Sequence, residues 1–384
     1  MTAEIKPFKV AVSDADLADL QERLARTRWP DPSPGAPWQH GTDLVYLKGL
    51  CEYWRNAYDW RTHEARLNDF AQFTTDIDAD GVTQNLHFLH VRSAHADALP
   101  LIITHGWPGS VYEFHKIIEP LVNPSDPADA FHVVCPSMPG YGFSGPTTAV
   151  GWDCARIART NASLMARLGY LRYGAQGGDW GSLVTTWTGA QDPDHCIGVH
   201  VNMVTGGPPD PANPMAGVTP DEMPDVVAMG EFREHETGYQ GIQGTKPQTL
   251  AYGLTDSPSG LAGWIVEKFR TWSDCGGDVE SRFSKDDLLT NIMIYWVTGT
   301  INSSTRLYYE SIGPSRRRPL PRVSVPAGCA LFPKELYRSP RVWAENTYAN
   351  IAQWSRFESG GHFAALEEPE ALVGDIRSFF APLR

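Results

Sequence analysis

The chain has 384 residues, a formal net charge of −13 and 42% hydrophobic residues, enough for one large α/β core with an insertion. Its acidic balance argues against nucleic acid or an anionic membrane as a partner. No apolar run approaches the roughly 18–20 residues of a spanning helix, and Met1 to Phe8 carry no signal-peptide core, so the expectation is a cytoplasmic chain without a membrane anchor. Six scattered cysteines without CxxC or Cys/His ligand spacing read as reduced thiols, with no disulfide framework and no metal site.

Residues 1 to about 95 lack the rhythm of an alternating α/β sheet. Ser13 and Asp16 cap a helix bearing Leu17, Leu20 and Leu24, and Arg28-Trp29-Pro30 stops it. A second helix spans Leu44 to Tyr58, and Phe73 to Val91 alternates like two strands joined at Asp80-Gly81. The sheet core begins at Leu99–Thr104, an apolar run that reads as a strand buried on both faces. His105-Gly106-Trp107-Pro108-Gly109-Ser110 follows, then a helix from about Tyr112 to Leu121, a buried strand Phe131–Pro136 and a helix Asp153–Leu168. Strand alternating with helix means a mostly parallel, right-handedly wound sheet.

Leu171, Tyr173 and Ala175 lead into Gly177-Gly178-Asp179-Trp180-Gly181, and Leu183 to Ala190 reads as the start of a helix. Small-x-Asp-x-small between strand and helix matches the nucleophile elbow of α/β-hydrolases, with a carboxylate at the exposed position. An aspartate there attacks an electrophilic carbon and itself becomes the ester. The competing reading is an aspartate capping a helix after a Gly-rich turn. After Asn202 the pattern breaks: 206 to about 320 is loop-rich, then helical, and reads as a lid. Sheet rhythm returns at Val323–Phe332 and Asn350–Glu358, and the last helix is Pro369–Phe380. The division is an N-terminal segment 1–95, core 96–205, cap 206–320 and core 321–384.

An aspartyl ester needs a base to hydrolyse it and donors for its oxyanion. His362, in Gly360-Gly361-His362-Phe363, lies after the last strand, and Glu335 follows the strand ending near Leu331. Glu367, Glu368 and Glu370 compete as its acid partner but suit the start of the final helix. The order nucleophile, acid, histidine is that of α/β-hydrolases. The backbone N–H groups of Trp107 and Trp180 are the expected oxyanion donors.

Together, His105–Ser110, Gly177–Gly181, Thr290-Asn291-Ile292-Met293-Ile294-Tyr295-Trp296, Phe332-Pro333-Lys334-Glu335-Leu336 and Gly361–Ala365 resemble the microsomal-type epoxide hydrolases over nearly the whole chain. The resemblance implies an α/β-hydrolase core, an N-terminal meander wrapping it and a helical cap. It implies Asp179 as nucleophile, His362 as base and Glu335 as its partner, with no cofactor. Two cap tyrosines, matching Tyr239 and Tyr308, would hydrogen-bond the epoxide oxygen; Tyr309 is the neighbouring alternative. Trp107, Phe143, Trp180 and Tyr309 are further candidates for contacting a bulky, aryl-bearing epoxide. The excess of Arg over Lys, 24 to 8, reads as a high-GC genome, and tailoring of a natural product such as an antibiotic is the expected role over detoxification. A homodimer is left open. Two other readings stand beside this one. A haloalkane dehalogenase shares the aspartate but needs donors for halide, and a hydrolase-fold receptor would bind without turnover. Product analysis on styrene oxide against a bromoalkane separates all three.

Overall fold

Nine strands carry the fold: β1 (Lys6–Phe8), β2 (Gln72–Ala79), β3 (Val82–Val91), β4 (Leu99–Thr104), β5 (Phe131–Pro136), β6 (Tyr173–Gly177), β7 (Cys196–Val201), β8 (Ala327–Leu331) and β9 (Ile351–Arg356). In the computed structural model, which describes residues 4–384, they form one sheet in the order β1-β2-β3-β5-β4-β6-β7-β8-β9. From β5 to β9 every neighbour is parallel, while β1, β2 and β3 add an antiparallel edge. This is the α/β-hydrolase architecture expected from the alternation of strand and helix.

The side-chain period of two sorts the central strands between two cores. Leu101 and Ile103 of β4 face one side with Val133 of β5, against Leu372, Ile376 and Phe379 of the last helix, Pro369–Phe380. Ile102 and Val134 face the other side with Ala175 and Val199, against Leu164 and Met165 of the helix Cys154–Arg167. Burial on both faces is why these strands read as unbroken apolar runs.

Two expectations need correction. The sheet does not begin at Leu99: the two strands expected over Phe73–Val91 are β2 and β3, and β3 pairs with β5 at Phe88–Pro136 through Val91–Val133, so three early strands extend it. The helix expected over Tyr112–Leu121 is two pieces, a 3-10 turn Val111–Phe114 and a short helix Ile118–Val122. Pro120 is the cause: without an N–H, and with its ring against the carbonyl four residues earlier, it is tolerated in a first turn but not inside a continuous helix.

Between β7 and β8 the chain leaves the sheet for the helices Met223–His235, Gly238–Thr245, Pro247–Asp256, Pro258–Trp272, Lys285–Thr298 and Ile301–Ile312. They share an apolar cluster with the N-terminal helices Asp14–Ala25 and Leu44–Asn56, in which Leu20, Leu24 and Trp54 meet Ile265, Phe269 and Ile292. Among the described residues no helix is long and apolar enough to cross a membrane.

Candidate active site

Strands β4 and β6 are parallel neighbours ending in step, Thr104 opposite Gly177, so the loops that follow them lie side by side at the carboxyl edge of the sheet. After β6 the chain turns straight into the helix Trp180–Gln191, with Asp179 at φ 50°, ψ −130°. A non-glycine residue there is strained by about 1–3 kcal/mol and persists only where its surroundings enforce it. The surroundings are tight: a Cβ on Gly181 would lie 1.8 Å from the Thr104 carbonyl oxygen. The strain turns the Asp179 side chain off the strand end, and it makes no capping bond to the helix that follows.

Both oxygens of that carboxylate are engaged. Oδ1 accepts from the backbone N–H of Trp107 at 2.7 Å, and Oδ2 lies 3.3 Å from His362 Nε2. The other ring nitrogen, Nδ1, is 2.8 Å from Glu335 Oε1, which also accepts from the Leu336 N–H at 2.5 Å. Glu335 and His362 are buried, at 2% and 4% exposure. Burial opposes the imidazolium, but the carboxylates of Glu335 and Asp179 outweigh it and raise the His362 pKa well above the ordinary histidine value. Glu367, the competing acid, accepts instead from the N–H groups of Phe363 and Asp274, at 3.0 and 2.8 Å, and so holds the histidine loop in place. Trp180 opens its helix, where backbone N–H groups have no intrahelical partner.

The loop carrying Trp107 is clamped from two sides. Buried His105, its pKa lowered to about 4 by desolvation, accepts from the Met138 N–H at 3.1 Å and bonds the Gly106 carbonyl at 3.0 Å. From the cap, Asn291 Nδ2 donates to the Pro108 carbonyl at 2.7 Å, Ser110 Oγ donates to Asn291 Oδ1 at 2.8 Å, and the Tyr295 hydroxyl donates to the Gly109 carbonyl at 2.6 Å. The apolar Thr290–Trp296 run therefore fixes the backbone donor that meets Asp179.

Tyr239 and Tyr308 stand next to one another, ring centroids 5.7 Å apart, one from the helix Gly238–Thr245 and one from Ile301–Ile312. Tyr308 meets Trp180 edge-on at 4.7 Å, and Tyr239 stacks on Trp107 at 5.4 Å. Burial first, and the Asp179 charge after it, raise both phenols well above the usual tyrosine pKa, so both are hydrogen-bond donors at any ordinary pH. The buried Tyr308 hydroxyl has no hydrogen-bond partner, while the Tyr239 hydroxyl accepts from Gln240 Nε2 at 3.0 Å. The two tyrosines, Asp179 and Trp180 line a cavity of about 1140 Å³ between cap and core.

Residues 5–114 match the family model described as epoxide hydrolase N terminus, and residues 100–237 match that of the alpha/beta hydrolase fold. Epoxide hydrolase 1 of Sus scrofa is 39% identical over 411 residues, covering 99% of this chain and 89% of that one. The chain belongs to the epoxide hydrolase family. A protein of Stigmatella aurantiaca (strain DW4/3-1), provisionally named an epoxide hydrolase, is 45% identical over 99% of this chain and 86% of its own. Among solved structures, the juvenile hormone epoxide hydrolase of the silkworm Bombyx mori superposes with a TM-score of 0.92 at 33% identity, covering 100% of this chain and 95% of that one. The epoxide hydrolase of Aspergillus niger superposes with a TM-score of 0.88 at 32% identity, covering 99% and 97%.

In this epoxide hydrolase the structure brings together Asp179, His362, Glu335, Tyr239, Tyr308, Trp107 and Trp180, and leaves two expected contact residues outside. Phe143 points toward the N-terminal strand, packing on Phe8 at 5.5 Å and His87 at 5.2 Å, because the 3-10 turn Gly142–Ser144 throws it away from the cavity. Tyr309 is one residue further round its helix and lies under the Arg316 guanidinium, 5.5 Å from the ring, outside the cavity lining. Trp107 enters through its backbone: its indole is fully buried behind Tyr239 and does not line the large cavity. Sequence reasoning missed Trp272, whose carbonyl accepts from the His362 N–H at 2.9 Å and whose ring meets the imidazole edge-on at 5.1 Å. It also missed Glu113, which no motif singled out.

Proposed function

We propose that this epoxide hydrolase converts a bulky epoxide and water to a vicinal diol through an ester on Asp179. Oδ1 is held by the Trp107 N–H, so Oδ2 attacks a ring carbon and the carbon–oxygen bond opens. Tyr239 and Tyr308 donate hydrogen bonds to the oxygen as it gains alkoxide character, and one phenol passes it a proton. Esterification removes the negative charge of Asp179, and with it part of what holds His362 protonated, so the imidazolium releases its proton and the phenolate regains one through solvent. The imidazole then accepts a proton from water as that water adds to Asp179 Cγ. The tetrahedral oxyanion falls to the N–H groups of Trp107 and Trp180. Its collapse breaks the ester bond and releases the diol, whose oxygen takes a proton back from His362, and the new Asp179 carboxyl then gives its own proton to the imidazole to restore the resting pair. Glu335 keeps the ring oriented and supports its cation.

One observation carries this reading: two buried phenols, Tyr239 and Tyr308, line the same cavity as the Asp179 carboxylate. A dehalogenase would have no use for two phenols there. A volume of about 1140 Å³ exceeds what a small alkyl epoxide fills, in keeping with a large apolar substrate. Six free, buried cysteines favour a reducing compartment such as the cytoplasm.

His362→Gln tests the reading. With styrene oxide the variant should form one equivalent of adduct and stop, intact-protein mass rising by that of the whole epoxide on a peptide containing Asp179. Normal turnover without adduct would mean that water attacks the epoxide directly.

A further inference from the structure

Resting on the aspartyl-ester reading, one question is where the second reactant, water, comes from. A separate small cavity of about 20 Å³ lies behind the elbow, lined by Asp179 and His362 together with Glu113, Gln176 and Asn202. Among the described residues Asp179 alone lines both this cavity and the large one; Tyr239 and Tyr308 face only the large one, and His362 only the small one. One face of the carboxylate therefore meets the phenols, and another meets the base.

We infer that the small cavity is the station of the hydrolytic water, and that Glu113 positions that water between His362 and the Asp179 ester. Size and polarity fit. A water needs roughly 10–15 Å³ and two to four polar partners. Gln176 is 1% exposed and donates from Nε2 to Asn202 Oδ1 at 2.9 Å, while its own Oε1 has no partner. That oxygen is a ready acceptor for a water hydrogen. Glu113 sits on the 3-10 turn Val111–Phe114, directly after the clamped loop, and its Oε1 rests against Gly109, where a Cβ would come within 1.4 Å. Only a glycine at 109 leaves room for the carboxyl there. Desolvation, helped by the nearby Asp179 charge, raises the Glu113 pKa to about 8, although His362 pulls it the other way. A largely neutral carboxyl can donate to the water oxygen, leaving one water hydrogen for His362 Nε2 and the other for Gln176.

In the step itself the water oxygen bonds to Asp179 Cγ, one of its protons moves to His362 Nε2, and the carbonyl electrons move to the oxygen held by Trp107. Glu113 neither gains nor loses a proton. The epoxide never needs to share space with the water, so ring opening runs without this cavity.

Single-turnover kinetics on styrene oxide, followed by tryptophan fluorescence and by quenched mass spectrometry, separate the two half-reactions. Glu113→Leu should slow ester hydrolysis about 10-fold or more while alkylation changes less than about two-fold, so that adduct accumulates in steady state. Glu113→Gln keeps both a donor and an acceptor and should restore most of the hydrolysis rate. A merely structural glutamate would slow both steps together. Equal slowing, or wild-type hydrolysis in Glu113→Leu, overturns the assignment. If His362→Gln forms adduct while Glu113→Leu hydrolyses normally, this inference alone falls. If His362→Gln forms none, the ester reading falls and takes the inference with it.

Discussion

Holding Asp179 at φ 50° costs about 1–3 kcal/mol, and the sequence shows how it is met: Gly177 and Gly181 let backbone approach where any side chain would collide. That steric demand is local, so a tight strand-to-helix turn was legible from eight residues, while choosing a nucleophile over a capping aspartate needed His362 and Glu335 further along the chain. The tyrosines were not. Nothing in composition or spacing separates a phenol over a cavity from one packed in a core, and Tyr239 and Tyr308 came from the family resemblance. The geometry also separates two neighbours, since Tyr308 faces Trp180 at 4.7 Å while Tyr309 sits against Arg316. Tyr308→Phe should therefore slow alkylation at least about 10-fold, the worth of one well-placed donor in such a site, and leave decay of a preformed ester nearly unchanged. Tyr309→Phe should do neither. Stopped-flow alkylation of the two variants is the check, and the reverse pattern would move the donor to the next residue.

At the scale of elements, the strands were legible where burial on both faces makes unbroken apolar runs, as in β4 and β5. What one sequence could not show is long-range pairing. The register that joins β3 to β5 brings together residues more than forty positions apart, and no local signal announces it. Helix breaks and turn directions were also hidden: Pro120 splits one expected helix, and the Gly142–Ser144 turn sends Phe143 to the wrong side. The tie between the last helix and the sheet was missed as well. Asp375 meets His200 Nε2 of β7 at 2.9 Å and accepts from Gln353 Nε2 and Ser355 Oγ of β9 at 2.8 and 2.5 Å. Desolvation opposes its charge, but these bonds prevail and lower its pKa. Asp375→Ala leaves the buried His200 Nε2 without its partner and removes a side-chain acceptor from the half-buried Gln353 and Ser355, and should destabilise by about 3 kcal/mol, read from urea unfolding. The depressed pKa places its electrostatic contribution above the unfolded aspartate pKa, to be lost as pH falls through the folded value. The mutational loss should accordingly shrink in acid, and a loss independent of pH would contradict this account.

Across the whole molecule, the site is an assembly of distant pieces: a strained turn from the core, an acid and a base from the C-terminal part, two phenols from the cap, and a cap helix clamping the loop that supplies the Trp107 N–H. That the chain leaves the sheet for helices after β7 was readable from the loss of strand rhythm after Asn202. How cap and core together enclose two cavities on different faces of one carboxylate was not, because it depends on where Glu113, Gln176 and His362 meet in space. In the proposed mechanism water attacks the enzyme and not the epoxide. A single turnover in water labelled with oxygen-18, with enzyme in excess over styrene oxide, tests it most directly. The label should appear in the Asp179 carboxylate, found by mass spectrometry of the peptide that contains it, and the first diol released should be unlabelled. Label in that first diol with an unlabelled Asp179 would contradict it.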